Sequence, residues 1–383
     1  MDNNLGQVVF VKNINQTSRS IPDDFQEFDG KLYFTAFTEE TGTELWVSDG
    51  TTEGTQLFTD IFPVVSSDGR GQGSYPSDLI VFNDKLYFSA YGGDNSSGLW
   101  VSDGTEIGTR VVADIDTDPS IISSRNTVRD LVELDGKLYF FADGTDGSGL
   151  WTSDGTSEGT QVVVDNPDLV SKQELTPFDG KFYFQANDGE NGSELWVSDG
   201  TTAGTQLAVD INPGYTVPGR FGSQEILGSG PSYLTEFNGK LYFSASANDE
   251  NGSELWASDG TTEGTQLVAD IYPGSKFDYY GYFANSSRPN SFTEFNAKLY
   301  FVANSETGTG LWVTDDSTDG TQFVTNISPS SFFNTDLYVF NDELYFSANN
   351  GETGTGLYKL TLDDSVEPGE PNTMLAVVAM TAY

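Results

Sequence analysis

A strand-like LYF followed by the block ELWVSDGTTEGTQLVADI returns about every 50 residues along this chain, and a fixed period of that size specifies stacked supersecondary units rather than one continuous globular core. Near-identical copies occupy 43–61, 193–211 and 253–271. Diverged copies occupy 97–115, 148–166 and 309–327, and a truncated seventh reaches Leu357-Tyr358.

Residues 231–271 resolve the unit into strands. Leu234–Phe237 reads as a short strand. Asn238-Gly239 is a two-residue hairpin turn, a pair that accepts positive φ at both positions. Lys240–Ala245 (KLYFSA) is a second strand whose aromatic pair suits a pleated surface. After the loop 248–252, Glu254–Ser258 is centred on Trp256, Asp259-Gly260 opens another tight connection, and Thr265–Ile271 is the fourth strand. The same turns recur at Asp29-Gly30, Asp135-Gly136 and Asp179-Gly180, and the third-strand aromatic recurs as Trp46, Trp100, Trp151, Trp196, Trp256, Trp312 and Tyr358. No helical period of apolar residues is present.

Four antiparallel strands repeated seven times predict an all-β fold, a seven-bladed β-propeller. Each blade's large aromatic would bury about 150–250 Å² against its neighbour. The blades fall at about 22–61, 77–115, 128–166, 172–211, 231–271, 289–327 and 334–362. The seventh supplies only Leu337–Phe340, Glu343–Ala348 and Thr355–Leu360, while residues 7–14 match the fourth-strand pattern. The N-terminal strand is therefore expected to complete the last blade and close the ring, covering an open sheet edge.

At ELWVSDGTTEGT the chain resembles the bacterial ELWxxDGT repeat family, whose repeats occur in large secreted or surface proteins, notably of cyanobacteria and myxobacteria. The resemblance spans roughly residues 1–362 and recurs in register. It implies an extracellular or cell-surface location and a binding role, and it carries no catalytic residues across.

Composition narrows the chemistry. The 383 residues include no cysteine and no histidine. Disulfides, thiolate chemistry and Ser-His-Asp or Cys-His catalysis are thereby excluded. The formal charge of −41 repels nucleic acid. It also opposes compaction unless cations screen it, which fits a salty or calcium-containing exterior. No apolar stretch is long enough to span a bilayer as a helix. The start MDNNLGQVVF has neither the basic nor the apolar region of a signal peptide, so such a signal is either removed or absent.

Several repeated residues read as scaffold. Asp49, Asp103, Asp154, Asp199 and Asp259 stand in the turn between the third and fourth strands, where an aspartate accepts turn N–H groups and the following glycine takes positive φ. Lys31, Lys85, Lys137, Lys181, Lys240 and Lys298 open the second strand, four of them with a glutamate four residues earlier. Cross-strand ion pairs across the hairpin would account for that spacing.

Function is expected where the repeat does not dictate the residue, on the variable loops of one face. Six of the seven arginines are assigned to blade-to-blade connections: Arg19, Arg70, Arg125, Arg129, Arg220 and Arg288. The residue before the first-strand Leu or Phe is acidic as Asp24, Asp78, Asp130, Glu174 and Asp336, and is Tyr233 or Ser291 otherwise. The first strands are expected to line a channel, so its mouth would carry either an Arg–carboxylate network locking the blades or a pocket for an anionic or polyhydroxylated ligand. Tyr215, Tyr279, Tyr280 and Tyr282 in two aromatic-rich connections suit stacking on sugar faces. Calcium is the expected cofactor, with Asp188, Glu190, Asp249 and Glu250 as loop ligands, although no loop has EF-hand spacing. Residues 363–383 form an acidic, proline-punctuated linker and a short apolar tail, with 372–383 available for self-association or partner docking.

The reading that follows is a non-catalytic extracellular adhesion propeller binding a glycan or surface protein, with no nucleic-acid partner. Its alternatives are an assembly subunit docking through the tail, and a polysaccharide-degrading enzyme that uses Asp and Glu.

Overall fold

The computed structural model describes Ile14 and residues 23–67, 69–93, 96–116, 128–166, 169–213, 216–218, 224–226, 228–247, 252–278, 281–316, 320–327, 337–340, 343–349 and 355–360. Among these residues the regular structure is all β, and the fold is a seven-bladed β-propeller. Blade 1 comprises Asp23–Phe28, Lys31–Thr38, Gly42–Ser48 and Gln56–Thr59, hydrogen-bonded in that order. Blades 2 to 6 repeat this order. Blade 7 shows three strands among the described residues: Leu337–Phe340, Glu343–Asn349 and Thr355–Leu360. Residues 7–13, expected as its fourth strand, and the tail from 361 onward lie outside the described residues. The chain divides into two compact units, one holding blades 1–3 with Gly200–Thr202, the other the rest of blade 4 and blades 5–7.

Side chains alternate across a strand, so the second strand presents Leu, Phe and Ala to one face and Tyr to the other. In the first unit, Tyr33, Leu45 and Val47 of blade 1 pack with Leu86, Phe88 and Ala90 of blade 2. Tyr87, Leu99 and Val101 of blade 2 then pack with Leu138, Phe140 and Trp151 of blade 3. In the second unit, Tyr183 and Leu195 of blade 4 meet Leu241, Phe243 and Trp256 of blade 5, and Tyr242 and Leu255 meet Leu299, Phe301 and Trp312 of blade 6. Blades 2, 5 and 6 thus bury both faces against a neighbour, and Trp100, Trp151, Trp256 and Trp312 lie in the layer shared with the blade before each. Ile61, just beyond the fourth strand of blade 1, and Ile115, in the fourth strand of blade 2, pack onto the following blade. Ile14 packs in the same way against Phe34, Ala36 and Trp46 of blade 1.

Two turns recur. The hairpin between the first and second strands holds both central residues at positive φ, as at Asn238 (51°) and Gly239 (72°). The second turn explains the DGTTEGT block atom by atom. The Asp259 carboxylate accepts Thr261 N–H at 2.9 Å and its hydroxyl at 2.7 Å. Thr261 Oγ1 in turn accepts Gly264 N–H at 3.0 Å, and Ser258 Oγ lies 2.6 Å from Thr265 Oγ1. A Cβ on Gly264 would collide with the Asp259 carboxylate, so the second glycine of the block is required by the aspartate. Asp49, Asp103 and Asp154 repeat the arrangement.

Two sequence expectations are corrected here. Glutamate and lysine do not face each other across the first hairpin: Glu27 pairs with Leu32, and Phe28 with Lys31. Glu133 and Glu236 instead accept their own turn's N–H, from Gly136 at 2.8 Å and Gly239 at 3.1 Å. Lys240 reaches forward to Asp316 of blade 6 at 2.8 Å. The fourth strand of blade 5 is also shorter than Thr265–Ile271, ending as Gln266–Ala269, for a reason that the blade exits make clear.

Candidate functional site

Within each unit the first strands of consecutive blades lie side by side. In blades 1 to 6 the first strand carries a β-bulge at an equivalent position, the register slipping between Asp23 and Gln26 in blade 1, and blade 4 has a second slip between Val170 and Gln173. The bulged residue is left-handed: Asp24 (56°), Asp78 (57°), Asp130 (55°), Glu174 (62°), Tyr233 (60°) and Ser291 (56°). Bulges re-aim a side chain out of the strand's alternation. Here they aim carboxylates at the next blade. Asp24 Oδ1 accepts Leu79 N–H at 3.3 Å, Asp78 Oδ1 accepts Asp130 N–H at 2.7 Å, and Glu174 Oε2 accepts Leu234 N–H at 3.1 Å. Three of the five acidic positions expected at the channel mouth, Asp24, Asp78 and Glu174, therefore tie a side chain to the backbone of the neighbouring first strand. Phe25, 57% exposed, and Tyr233, 44% exposed, present aromatic surface from the same strands.

The blade exits hold a device that the sequence reading passed over. Blades 1, 4 and 5 have Glu44, Glu194 and Glu254 before the Leu-Trp pair, whereas blades 2, 3 and 6 have Gly98, Gly149 and Gly310. In the glycine blades the fourth strand runs on past this position: Gly149 pairs with Asp165, Gly310 with Asn326, and Ile327 N–H bonds Thr309 C=O at 3.0 Å. A Cβ on Gly149 would strike the Val164 carbonyl. In the glutamate blades the carboxylate takes over that N–H. Ile61 N–H donates to Glu44 Oε2 at 3.2 Å, Ile211 to Glu194 at 3.1 Å, and Ile271 to Glu254 at 2.8 Å. The chain leaves the ladder and makes a small hairpin: Val64–Val65 with Gly71–Gln72, Thr216–Pro218 with Gln224–Ile226, and Ser275–Asp278 with Gly281–Ala284. It returns to the same carboxylate, which accepts N–H and hydroxyl from Ser74 (2.7 and 2.5 Å), Ser229 (2.7 and 2.5 Å) and Ser287 (2.9 and 2.5 Å). All three glutamates are fully buried. Burial pushes the Glu44 and Glu194 carboxyls up to about 7 against the pull of these donors, and it raises Glu254 likewise.

The other expected site residues separate. Arg129 lies inside the first strand of blade 3 rather than in a connection, and it pairs with Asp143 at 3.0 Å. Arg70 lies beside the blade 1 hairpin, its carbonyl accepting Ser66 N–H at 2.8 Å. Arg288 is at positive φ (47°) and donates its N–H to Ser253 C=O at 3.0 Å. Tyr282 lies in the strand Gly281–Ala284. Arg19, Arg125, Arg220, Asp336, Tyr215, Tyr279 and Tyr280 lie outside the described residues. So do Asp249 and Glu250 of the expected calcium loops. Asp188 uses its carboxylate to cap its own turn, accepting Glu190 N–H at 2.9 Å and Asn191 N–H at 2.8 Å. Among the described residues no three acidic side chains group to hold a metal ion, and no helix is long and apolar enough to cross a membrane.

No protein-family model matches this chain, and no curated protein matches it. Solved structures do. Prolyl oligopeptidase B from Galerina marginata matches with a TM-score of 0.54 at 10% identity, over 93% of this chain and 50% of that one. A histidine-to-alanine mutant of the same enzyme, bound to a 35mer hydrolysis and macrocyclization substrate, matches at 0.53 and 10% identity over the same shares. The β-propeller domain of the trilobed protease from Pyrococcus furiosus matches at 0.46 and 10% identity, over 89% of this chain and 95% of that one. The chain spans 49% of a puromycin hydrolase structure and 48% of a prolyl endopeptidase structure that it also matches. At these identities the likeness is one of fold. The expected adhesion propeller for a glycan or surface molecule, with its assembly and polysaccharide-degrading alternatives, is corrected by the match to prolyl oligopeptidase B, a peptidase.

Proposed function

We propose that this chain is a peptide-handling propeller of the peptidase-associated kind, without catalytic residues of its own. The observation that carries the reading is the fold likeness to prolyl oligopeptidase B, which takes in 93% of this chain but only half of the enzyme. The sequence contains no histidine, so a serine–histidine–carboxylate constellation cannot be assembled from it. Within each unit the first strands offer an extended polypeptide an exposed ring beside bulge carboxylates: Phe25 with Asp24 and Asp78 in one unit, Tyr233 with Glu174 in the other. An excess of 41 negative charges favours segments carrying lysine or arginine.

The test is fluorescence anisotropy with labelled, unfolded peptides of about 35 residues, matched in length and differing in charge, alongside mass spectrometry of the same mixtures. Saturable binding of the basic peptide, weakened by salt and by Phe25→Ala with Tyr233→Ala, is the expected result. Equal indifference to all peptides overturns peptide handling. Cleavage that co-purifies with the chain overturns its non-catalytic status.

A further inference from the structure

We propose that the first strand of blade 6 holds the C-terminal carboxylate of a basic peptide at its bulge, beside Tyr233, an assignment that rests on the peptide-handling reading. Blades that fill this position from their own sequence show what it accepts. Asp24, Asp78 and Glu174 each leave a left-handed bulge and set a carboxylate against an N–H at the bulge of the next first strand. Aspartate and the longer glutamate both serve, so the position suits a carboxylate rather than one particular residue.

Blade 5 keeps the backbone and changes the side chain. Tyr233 has φ 60°, and the slip between Ser232 and Thr235 matches the slip between Ser77 and Ile80 in blade 2. The receiving strand is unchanged as well. Ser291 is left-handed at 56°, and Thr293 pairs with Tyr300 as Thr235 pairs with Tyr242. Phe292 therefore stands where Leu79 and Leu234 stand, and the N–H groups of those two donate to Asp24 and Glu174. Tyr233 has no carboxylate to offer, and among the described residues no side chain accepts the Phe292 N–H. A backbone N–H turned out of its ladder takes an acceptor from water or from a ligand. Blade 6 repeats the change: Ser291 turns its hydroxyl to Asn290 Oδ1 at 3.1 Å rather than to the first strand of blade 7.

Charge decides the rest of the ligand. A chain at −41 repels a free carboxylate and attracts lysine and arginine. A basic segment that ends in a carboxylate meets both conditions, with the exposed ring of Tyr233 against its last side chains. An acidic side chain would bring the same group from within a peptide, so the two sources are separated by experiment.

Three basic peptides of one sequence serve as probes in fluorescence anisotropy: a C-terminal acid, a C-terminal amide, and an amide whose last residue is glutamate. The acid is expected to bind about tenfold more tightly than either amide, as one hydrogen bond to a charged group provides, although the net field of the chain favours the plain amide. Tyr233→Asp supplies the carboxylate from within, as blades 1 and 2 do, and should erase that ratio. Tyr233→Ala removes the ring alone, and should weaken all three peptides while keeping the ratio. Equal affinity of acid and plain amide for the wild-type protein overturns the site and leaves peptide handling standing. Binding of none of the three overturns peptide handling and the site with it. A glutamate-ended amide that matches the acid overturns the terminal assignment, and an acid preference that survives Tyr233→Asp overturns the placement at this strand. The acid–amide comparison is made on the wild-type protein, so it decides the matter even if a variant does not fold.

Discussion

Ala297 stands at φ 54° in the second position of its hairpin turn, where blades 1, 3, 4 and 5 have Gly30, Gly136, Gly180 and Gly239. A residue with a Cβ pays about 1–2 kcal/mol in that region, partly offset by glycine's greater freedom in the unfolded chain. Ala297→Gly should therefore stabilise the protein by about 0.5–1 kcal/mol, seen as a higher urea midpoint with an unchanged slope. Gly260→Ala should do the opposite and more strongly. Gly260 has φ 88°, and its new Cβ would run into the Tyr183 hydroxyl of the preceding blade. The conformational cost alone is about 1–2 kcal/mol, and a wild-type midpoint in this variant would show that the tyrosine does not seat there. The aspartate, threonine and glycine of this turn were legible as a turn because the motif repeats intact. That the glycine is also the neighbouring blade's docking point was not, because Tyr183 is remote in sequence.

Among elements, the blade exit and the clasp between blades 5 and 6 make contrasting predictions. Glu254→Ala strands the N–H groups of Ile271 and Ser287 in a buried site. It should cost about 2–4 kcal/mol, with loss of exchange protection across the hairpin Ser275–Ala284. Asp316→Gly should be nearly neutral, within about 1 kcal/mol. It removes a half-exposed ion pair to Lys240 and the bond from the Tyr242 hydroxyl, but relieves a left-handed aspartate at φ 69°. A large loss in a thermal melt would mean that the clasp, rather than apolar packing, joins these blades. The Glu-or-Gly alternation before Leu-Trp was visible in the sequence as variation within a repeat. Its consequence was not, because the partners Ser74, Ser229 and Ser287 lie in connections that share no motif.

For the whole molecule, pH and salt act on a chain of net charge −41. Glu44 and Glu194 are raised in the folded protein from 4.5 to about 7. Folding then binds protons between those values, and the stability they contribute is present below 4.5 and lost as pH rises through about 7, up to ~3 kcal/mol each. Asp49, Asp103, Asp154 and Asp259 are lowered, chiefly by the threonine hydroxyl bonded to each, so their contribution is lost on acidification below the ordinary aspartate range. Stability should accordingly be greater at pH 5 than at pH 8 and fall again below about pH 4. Moderate sodium chloride should raise it at pH 8 by screening self-repulsion. Urea midpoints across this grid check both statements. A midpoint that climbs steadily from pH 5 to pH 8 would contradict the burial of the two glutamates.

The amino-acid sequence by itself determined the blade. Strand order, tight turns and the interblade aromatic follow from local propensity and a period of apolar residues, and those forces act over a few residues and repeat with the block. The tertiary structure alone decided what the irregular residues do. Whether Asp24, Asp78 and Glu174 face a ligand or a backbone N–H depends on a bulge and on a strand more than fifty residues away. Whether a glutamate beside tryptophan is solvated or fully buried depends on which distant serine returns to it. Such contacts leave no periodic trace in the sequence, because the connections that complete them differ in length and composition from blade to blade.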